Sequence, residues 1–185
     1  MTAQLPYDFF AATLSNSIRL INDSKLLNQH GRYRSAAALA ISAIEELGKA
    51  LIFRWAVINR CSKRKNPSHL EKQAATFALL SANELVKKRG KRMRASIRSN
   101  SRSFFGIGPF SDQFVWARSG FYEDLRMFAT YSDLDSKMPA RMLDKFSAGL
   151  TEDLVSFHEK AYRTIRNTRA MAQAAIIFEN DLGRM

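Results

Sequence analysis

The stretch GRYRSAAALAISAIEELGKALI, residues 31–52, decides the fold class. Ala37, Ile41, Ile44, Gly48, Leu51 and Trp55 recur at alternating four- and three-residue spacing, so they share one side of a helix predicted over about Ser35 to Arg60. The alanines and Gly48 carry little bulk, which lets a neighbouring helix approach closely. Gly48 costs up to about 1 kcal/mol of helix propensity relative to alanine, and this points to a packing or positional requirement there. Lys49 follows Glu45 by four residues, the favourable order for an ion pair worth roughly 0.2–0.5 kcal/mol. Glu45 lies beside the apolar stripe and Glu46 more nearly opposite it. The two acids therefore diverge, which argues against a two-carboxylate hydrolase or a metal centre in a bundle core.

Working outward, Phe10, Leu14, Ile18 and Ile21 predict a first helix over about Asp8 to Asn28, with Gly31 marking the turn that follows. CSKRKNPS, 61–68, reads as a connection, because Pro67 biases its predecessor away from helix. Ser68 and Glu71 form a capping-box pattern for a third helix that carries Phe77, Leu80 and Leu85 to about Val86. A dense basic run follows at 87–103, then an apolar, turn-prone FFGIGPF at 104–110. A short helix is predicted from Phe114 to Phe128 and a loop over 131–139. A last helix, about Arg141 to Phe178, has Leu150, Leu154, Phe157, Ala161 and Ile165 on one face and a bend or division at Gly149. Trp55 and Trp116 read as packing residues. Period-two alternation is nowhere sustained. The reading is an all-α antiparallel bundle forming a single domain over 1–185.

Composition narrows the function classes. The 185 residues are 46% hydrophobic with 8 Gly and 4 Pro, which excludes disordered and collagen-like chains. Cys61 is the only cysteine, so there is no internal disulfide framework and no cysteine-based metal set. His30, His69 and His158 form no His-Glu-x-x-His pattern, so neither a metal nor a cofactor is expected. No stretch approaches about 18 apolar residues, and the first residues lack a basic segment before an apolar one. A cytoplasmic protein without stable membrane insertion is the expectation. The net charge of +12 is unevenly spread. Residues 51–110 hold fourteen basic and two acidic side chains, whereas the flanking segments nearly balance. Such a concentrated field suits RNA or another acidic partner. Within it, Lys87, Lys88, Arg89, Lys91, Arg92, Arg94, Arg98 and Arg102 are candidate phosphate contacts, with Phe104 and Phe105 as possible stacking or anchoring groups.

Several elements in order resemble the AbiV type of abortive-infection protein, a helical branch of the HEPN superfamily. They are Asn16-Ser17, Asp23, Leu26-Leu27, Gly31-Arg32-Tyr33, Ala36, the string Glu45-Glu46-Leu47-Gly48-Lys49, then His69-Leu70-Glu71-Lys72 and RSGFYEDL at 118–125. The resemblance implies a HEPN-like bundle and a role in bacterial defence against phage. The wider superfamily contains ribonucleases, often dimeric, with an Arg-x(4–6)-His motif. Arg64 and His69 fit that spacing but straddle a proline-containing turn. Arg166-Asn167 begins similarly but lacks its histidine, and His158 precedes it in the wrong order. The nuclease site is thus either relocated to Arg64–His69 or absent.

Cleavage by an RNA 2′-hydroxyl needs a group to accept its proton, a proton for the leaving oxygen, and positive charge near the phosphate. His69 is the candidate acid or base, with Arg64 and Lys72 holding phosphate and Glu45 and Lys49 orienting or neutralising the cluster. That scheme requires no metal. Asp124, beside Tyr122 and Glu123, is a candidate for pinning its segment to the Glu45–Lys49 helix. The leading expectation is a phage-defence protein acting on RNA or the translation apparatus, and the resemblance implies a HEPN-like homodimer. The alternative is a non-catalytic interaction protein that binds an acidic or phage-derived protein.

Overall fold

The computed structural model describes residues 4–58, 67–89, 110–130 and 146–182, and every regular element among them is an α-helix. In chain order these are α1 (Gln4–Gln29), α2 (Tyr33–Ile58), α3 (His69–Arg89), α4 (Ser111–Arg118), α5 (Phe121–Thr130), α6 (Ala148–Thr164) and α7 (Thr168–Leu182). None of the described helices is long and apolar enough to cross a membrane.

Helices α1 and α2 form an antiparallel hairpin turned at Gly31, whose φ of 71° suits a residue without a Cβ. Two buried serines stitch the hairpin. Ser24 donates to the Ala36 carbonyl (2.7 Å) and Ser17 to that of Ala43 (3.0 Å), the partners running in opposite directions along the chain. The next crossing is also antiparallel: the Thr76 hydroxyl of α3 donates to the Ile44 carbonyl of α2 at 2.9 Å. Here the reason for Gly48 is evident. A Cβ on it would lie 1.7 Å from the Lys72 carbonyl oxygen, so α2 and α3 touch backbone to backbone.

The small residues of α2 and α3, among them Ala37, Ala40, Ala74, Ala75 and Ala78, are fully buried in the core. Larger side chains close the outer layers. Phe77 stacks on Tyr122 of α5 with ring centroids 5.1 Å apart and meets Phe157 of α6 edge-on at 5.7 Å; Trp55 of α2 packs on Phe178 of α7 at 5.3 Å. Helices α2 and α3 thus form the centre, with α1, α5, α6 and α7 laid around them.

Several boundaries differ from the sequence reading. The helix expected over Phe114–Phe128 is two helices, divided at Ser119–Gly120 where Gly120 takes φ 88°. The long last helix is also two. It begins at Ala148 and breaks after Thr164, where Asn167 Oδ1 accepts from the backbone N–H groups of Arg169 (3.1 Å) and Ala170 (3.2 Å) and so caps α7. Gly149 sits in the first turn of α6 and makes no bend. Trp116 packs on Phe121 with ring centroids 5.5 Å apart yet stays 46% exposed, while Trp55 is buried. The segments 104–109 and 131–139 lie outside the described residues.

Candidate functional site

The capping box at the start of α3 forms as its pattern requires. The Glu71 backbone N–H donates to Ser68 Oγ (3.2 Å) and the Ser68 backbone N–H donates to Glu71 Oε2 (2.7 Å). This fixes His69 as the first residue of α3, at the positive end of that helix's dipole. The ring is half exposed, and its Nδ1 lies 2.7 Å from Oε2 of Glu45, whose side chain is only 8% exposed. A carboxylate only accepts hydrogen bonds. The contact therefore places the proton on Nδ1 and leaves Nε2 as the basic nitrogen.

Glu45 is an α2 carboxylate buried among helices, and such a group needs partners. It has three. Gln73, one turn along α3 from His69, donates from Nε2 to Oε1 at 2.7 Å. The Arg126 Nε of α5 lies 3.7 Å from Oε1. His69 is the third. Arg126 in turn grips Glu123 with two bonds, Nε to Oε2 at 3.0 Å and a terminal nitrogen to Oε1 at 2.6 Å. These bonds lower the Glu123 carboxyl below its ordinary range against the opposing effect of burial, and the nearby His69 adds to the lowering. Glu123 Oε2 stands 3.9 Å from His69 Nδ1. The result is a cluster from three helices: His69 and Gln73 from α3, Glu45 from α2, Glu123 and Arg126 from α5.

Glu45, His69 and Glu123 each offer a ligand atom, all within 4.8 Å of one another, which is close enough for a divalent cation to bridge them. The Arg126 guanidinium already serves as counter-cation to both carboxylates, and His69 would have to surrender its Nδ1 proton to bind.

The structure thus brings together two of the residues singled out in the sequence, Glu45 and His69. Lys49 is placed otherwise: its ammonium lies 3.6 Å from Glu46, so the expected Glu45–Lys49 pair is replaced by Glu46–Lys49. The reason is the direction of Glu45, which points inward to α3 while Glu46 and Lys49 remain partly exposed. Lys72 stands on the first turns of α3 with its carbonyl beneath Gly48. Arg64, Lys91, Arg92, Arg94, Arg98 and Arg102 lie outside the described residues; Lys88 and Arg89 close α3, their side chains outside the description. Lys87 is exposed and pairs with Glu84 at 3.0 Å. Asp124 is exposed, and it is Glu123, through Arg126, that ties α5 to Glu45. Arg126 and Gln73 were not foreseen. Their signals were faint: Arg126 follows Glu123 by three residues and Gln73 follows His69 by four, each pair one helical turn apart.

His158 is a different kind of histidine. It is 2% exposed, and its Nε2 lies 2.5 Å from Ser17 Oγ, which itself donates to the Ala43 carbonyl. Burial drives its pKa down to about 4, keeping the ring neutral and internal. Nearby, Lys25 and Glu159 join α1 to α6 at 2.6 Å.

With the helical bundle and the α2–α3 crossing established, comparison with known families is decisive. The AbiV model of the HEPN families matches residues 7–163, running from α1 almost to the end of α6. The chain belongs to the AbiV family. No curated protein and no solved structure matches it. Membership points to abortive infection, the arrest of phage production within infected cells. It also places the Glu45–His69 contact of this AbiV protein inside the matched region.

Proposed function

We propose that this AbiV protein defends cells against phage by cleaving RNA at His69, using the 2′-hydroxyl of the ribose as nucleophile. The observation that carries the reading is the 2.7 Å contact between the buried Glu45 carboxylate and the half-exposed His69 ring. A buried acceptor that fixes one imidazole nitrogen of a half-exposed ring is the arrangement a general base needs. Nε2 takes the proton of the 2′-hydroxyl as that oxygen attacks phosphorus. The imidazolium so formed is stabilised by the Glu45 carboxylate and returns the proton to the departing 5′-oxygen, leaving a 2′,3′-cyclic phosphate. Positive charge at the start of α3, with Lys72 on its first turns, favours the dianionic transition state. Gln73 and Arg126 act through Glu45 by holding it in place. The nucleophile belongs to the substrate, so this route needs no metal-activated water.

The test is RNA cleavage by the purified protein in the presence of a chelator, together with phage challenge and RNA integrity in cells. His69→Ala should abolish cleavage and protection while helicity and abundance stay at wild-type levels. Intact RNA in protected cells, or protection retained by His69→Ala, refutes the nuclease reading and favours a non-catalytic partner-binding role. Abolition of cleavage by the chelator, restored by a divalent ion, would reassign Glu45, His69 and Glu123 as metal ligands.

A further inference from the structure

Where α2, α3 and α5 converge, the charges of the cluster do not balance. Glu45 and Glu123 bring two negative charges and Arg126 one positive charge, so a neutral His69 ring leaves one negative charge uncompensated. The existing bonds also leave particular atoms available. Gln73 and Arg126 both address Oε1 of Glu45, at 2.7 and 3.7 Å. Oε2 of Glu45 faces His69 Nδ1 at 2.7 Å, and Oε2 of Glu123 stands 3.9 Å from the same nitrogen. A carboxylate oxygen has two lone pairs, so Oε2 of Glu123 keeps one beyond its bond from Arg126. Ligands about 2.1 Å from a tetrahedral zinc ion stand about 3.4 Å apart, and the separations of 2.7 and 3.9 Å lie on either side of that value.

A second observation marks the cluster as incomplete. Gln73 is fully buried and its amide is held against Glu45, yet its Oε1 finds no hydrogen-bond donor among the described residues. The donor set selects the kind of ion. One imidazole nitrogen with two carboxylate oxygens suits zinc and its neighbours in the transition series, whereas Mg²⁺ takes oxygen ligands in octahedral geometry. The positive end of α3 and Arg126 oppose a further cation. With Arg126 counted, however, Zn²⁺ would bring the cluster to one positive charge. That is also the total for zinc on two histidines and one carboxylate, a set that proteins use.

We propose that Glu45, His69 and Glu123 form a site for Zn²⁺ whose occupation switches RNA cleavage off. The inference rests on the RNA-cleaving reading of His69 and adds regulation to it. In the cleaving form the proton sits on Nδ1 and Nε2 is the base. A neutral imidazole coordinates a metal through the nitrogen that carries no proton, so binding at Nδ1 transfers that proton to Nε2. The ring neither gains nor loses a proton overall. The nitrogen that would receive the ribose proton is now occupied, and the Glu45 charge is spent on the ion instead of on an imidazolium.

The experiment titrates Zn²⁺ into the wild type and Glu123→Gln, with each cleavage rate expressed relative to that protein's own rate in chelator. Wild-type cleavage should fall at least about tenfold and recover in chelator, and the inhibition constant should rise at least about tenfold in Glu123→Gln, the lower range for disturbing a metal site. Mg²⁺ at the same concentration should not inhibit. Two readouts do not depend on activity. Co²⁺ absorption should report one ion bound per wild-type chain and weaker binding by Glu123→Gln. Imidazole ¹⁵N shifts of the wild type, assigned by their absence from His69→Ala, should show zinc exchanging the protonated and bare nitrogens of His69. Equal inhibition of wild type and Glu123→Gln, or an Nδ1 that keeps its proton at saturating zinc, overturns the site. Cleavage that chelator abolishes overturns the switch together with the metal-free mechanism. A protein that binds Co²⁺ here but cleaves nothing, with or without chelator, removes the nuclease reading and the switch and leaves the metal site standing. Cleavage indifferent to zinc removes the switch and leaves the nuclease reading.

Discussion

At the scale of single residues, the two buried or half-buried histidines have opposite roles because their neighbours differ. His69 meets a carboxylate and solvent; His158 meets a hydroxyl inside the bundle. Glu45→Gln keeps the size of the side chain but removes the charge that favours an imidazolium, and it sets an amide against the Gln73 amide. We expect turnover of RNA to fall at least about a hundredfold, the lower range for losing general acid–base assistance. Single-turnover cleavage rates, with the RNA Kd measured in parallel, check this; an unchanged rate removes Glu45 from the mechanism. His158 makes a prediction about stability. Its pKa is depressed from 6.5 to about 4, so the unfolded chain binds more protons in that interval. Its contribution is fully present above pH 6.5 and is lost as the pH falls toward 4, about 3 kcal/mol in all by order of magnitude. Glu123 and Glu159, also lowered, act in the same direction but only below the ordinary carboxylate value of 4.5. Urea midpoints should therefore decline through the interval from 6.5 to 4.5, and His158→Gln should flatten that decline.

At the scale of elements, the α2–α3 crossing is the joint on which the cluster depends. Gly48→Ala improves intrinsic helix propensity by about 1 kcal/mol, yet its methyl group would collide with the Lys72 backbone. A backbone carbonyl cannot swing aside as a side chain can, so the helices must separate. The net expectation is a loss of about 2–3 kcal/mol, within the range for overpacking. Separation also draws His69 away from Glu45, so activity should fall even at temperatures where the variant stays folded. Thermal unfolding and RNA cleavage on the same sample test the two effects, and a stabilised Gly48→Ala would contradict the contact. The break between α6 and α7 offers a second check. Asn167→Ala removes the cap on the Arg169 and Ala170 N–H groups, and a cost of about 1 kcal/mol is expected in chemical denaturation.

Across the whole molecule, the charged groups differ in their exposure to salt. The Glu45–His69–Glu123–Arg126 cluster gathers both signs in a small space, and at the other end of α3 Lys87 pairs with Glu84 and, on α6, Arg163 with Glu159 at the surface. Raising the salt concentration should weaken RNA binding steeply while leaving the chemical step at saturating RNA nearly constant, because the contacts of the buried Glu45 carboxylate are screened far less than exposed ones. Measuring kcat and KM across a salt series checks this; parallel losses in both would place the salt-sensitive contacts at the reacting phosphate.

Sequence periodicity by itself determined the helical class, the α1–α2 hairpin turning at Gly31 and the capping box before His69. Each depends on residues near one another along the chain, where spacing fixes geometry. It also marked Gly48 as exceptional and named Glu45 and His69. Their meeting belonged to the tertiary structure, because no local rule relates residues on different helices. Helix spacing favours Glu45–Lys49, but burial turned Glu45 toward α3, where Gln73, His69 and Arg126 compensate its charge and the partly exposed Glu46 takes Lys49. The same reason hid the breaks at Ser119–Gly120 and Ile165–Asn167. A continuous apolar face on paper survives only while the helices it must cover lie straight, and that is decided by packing.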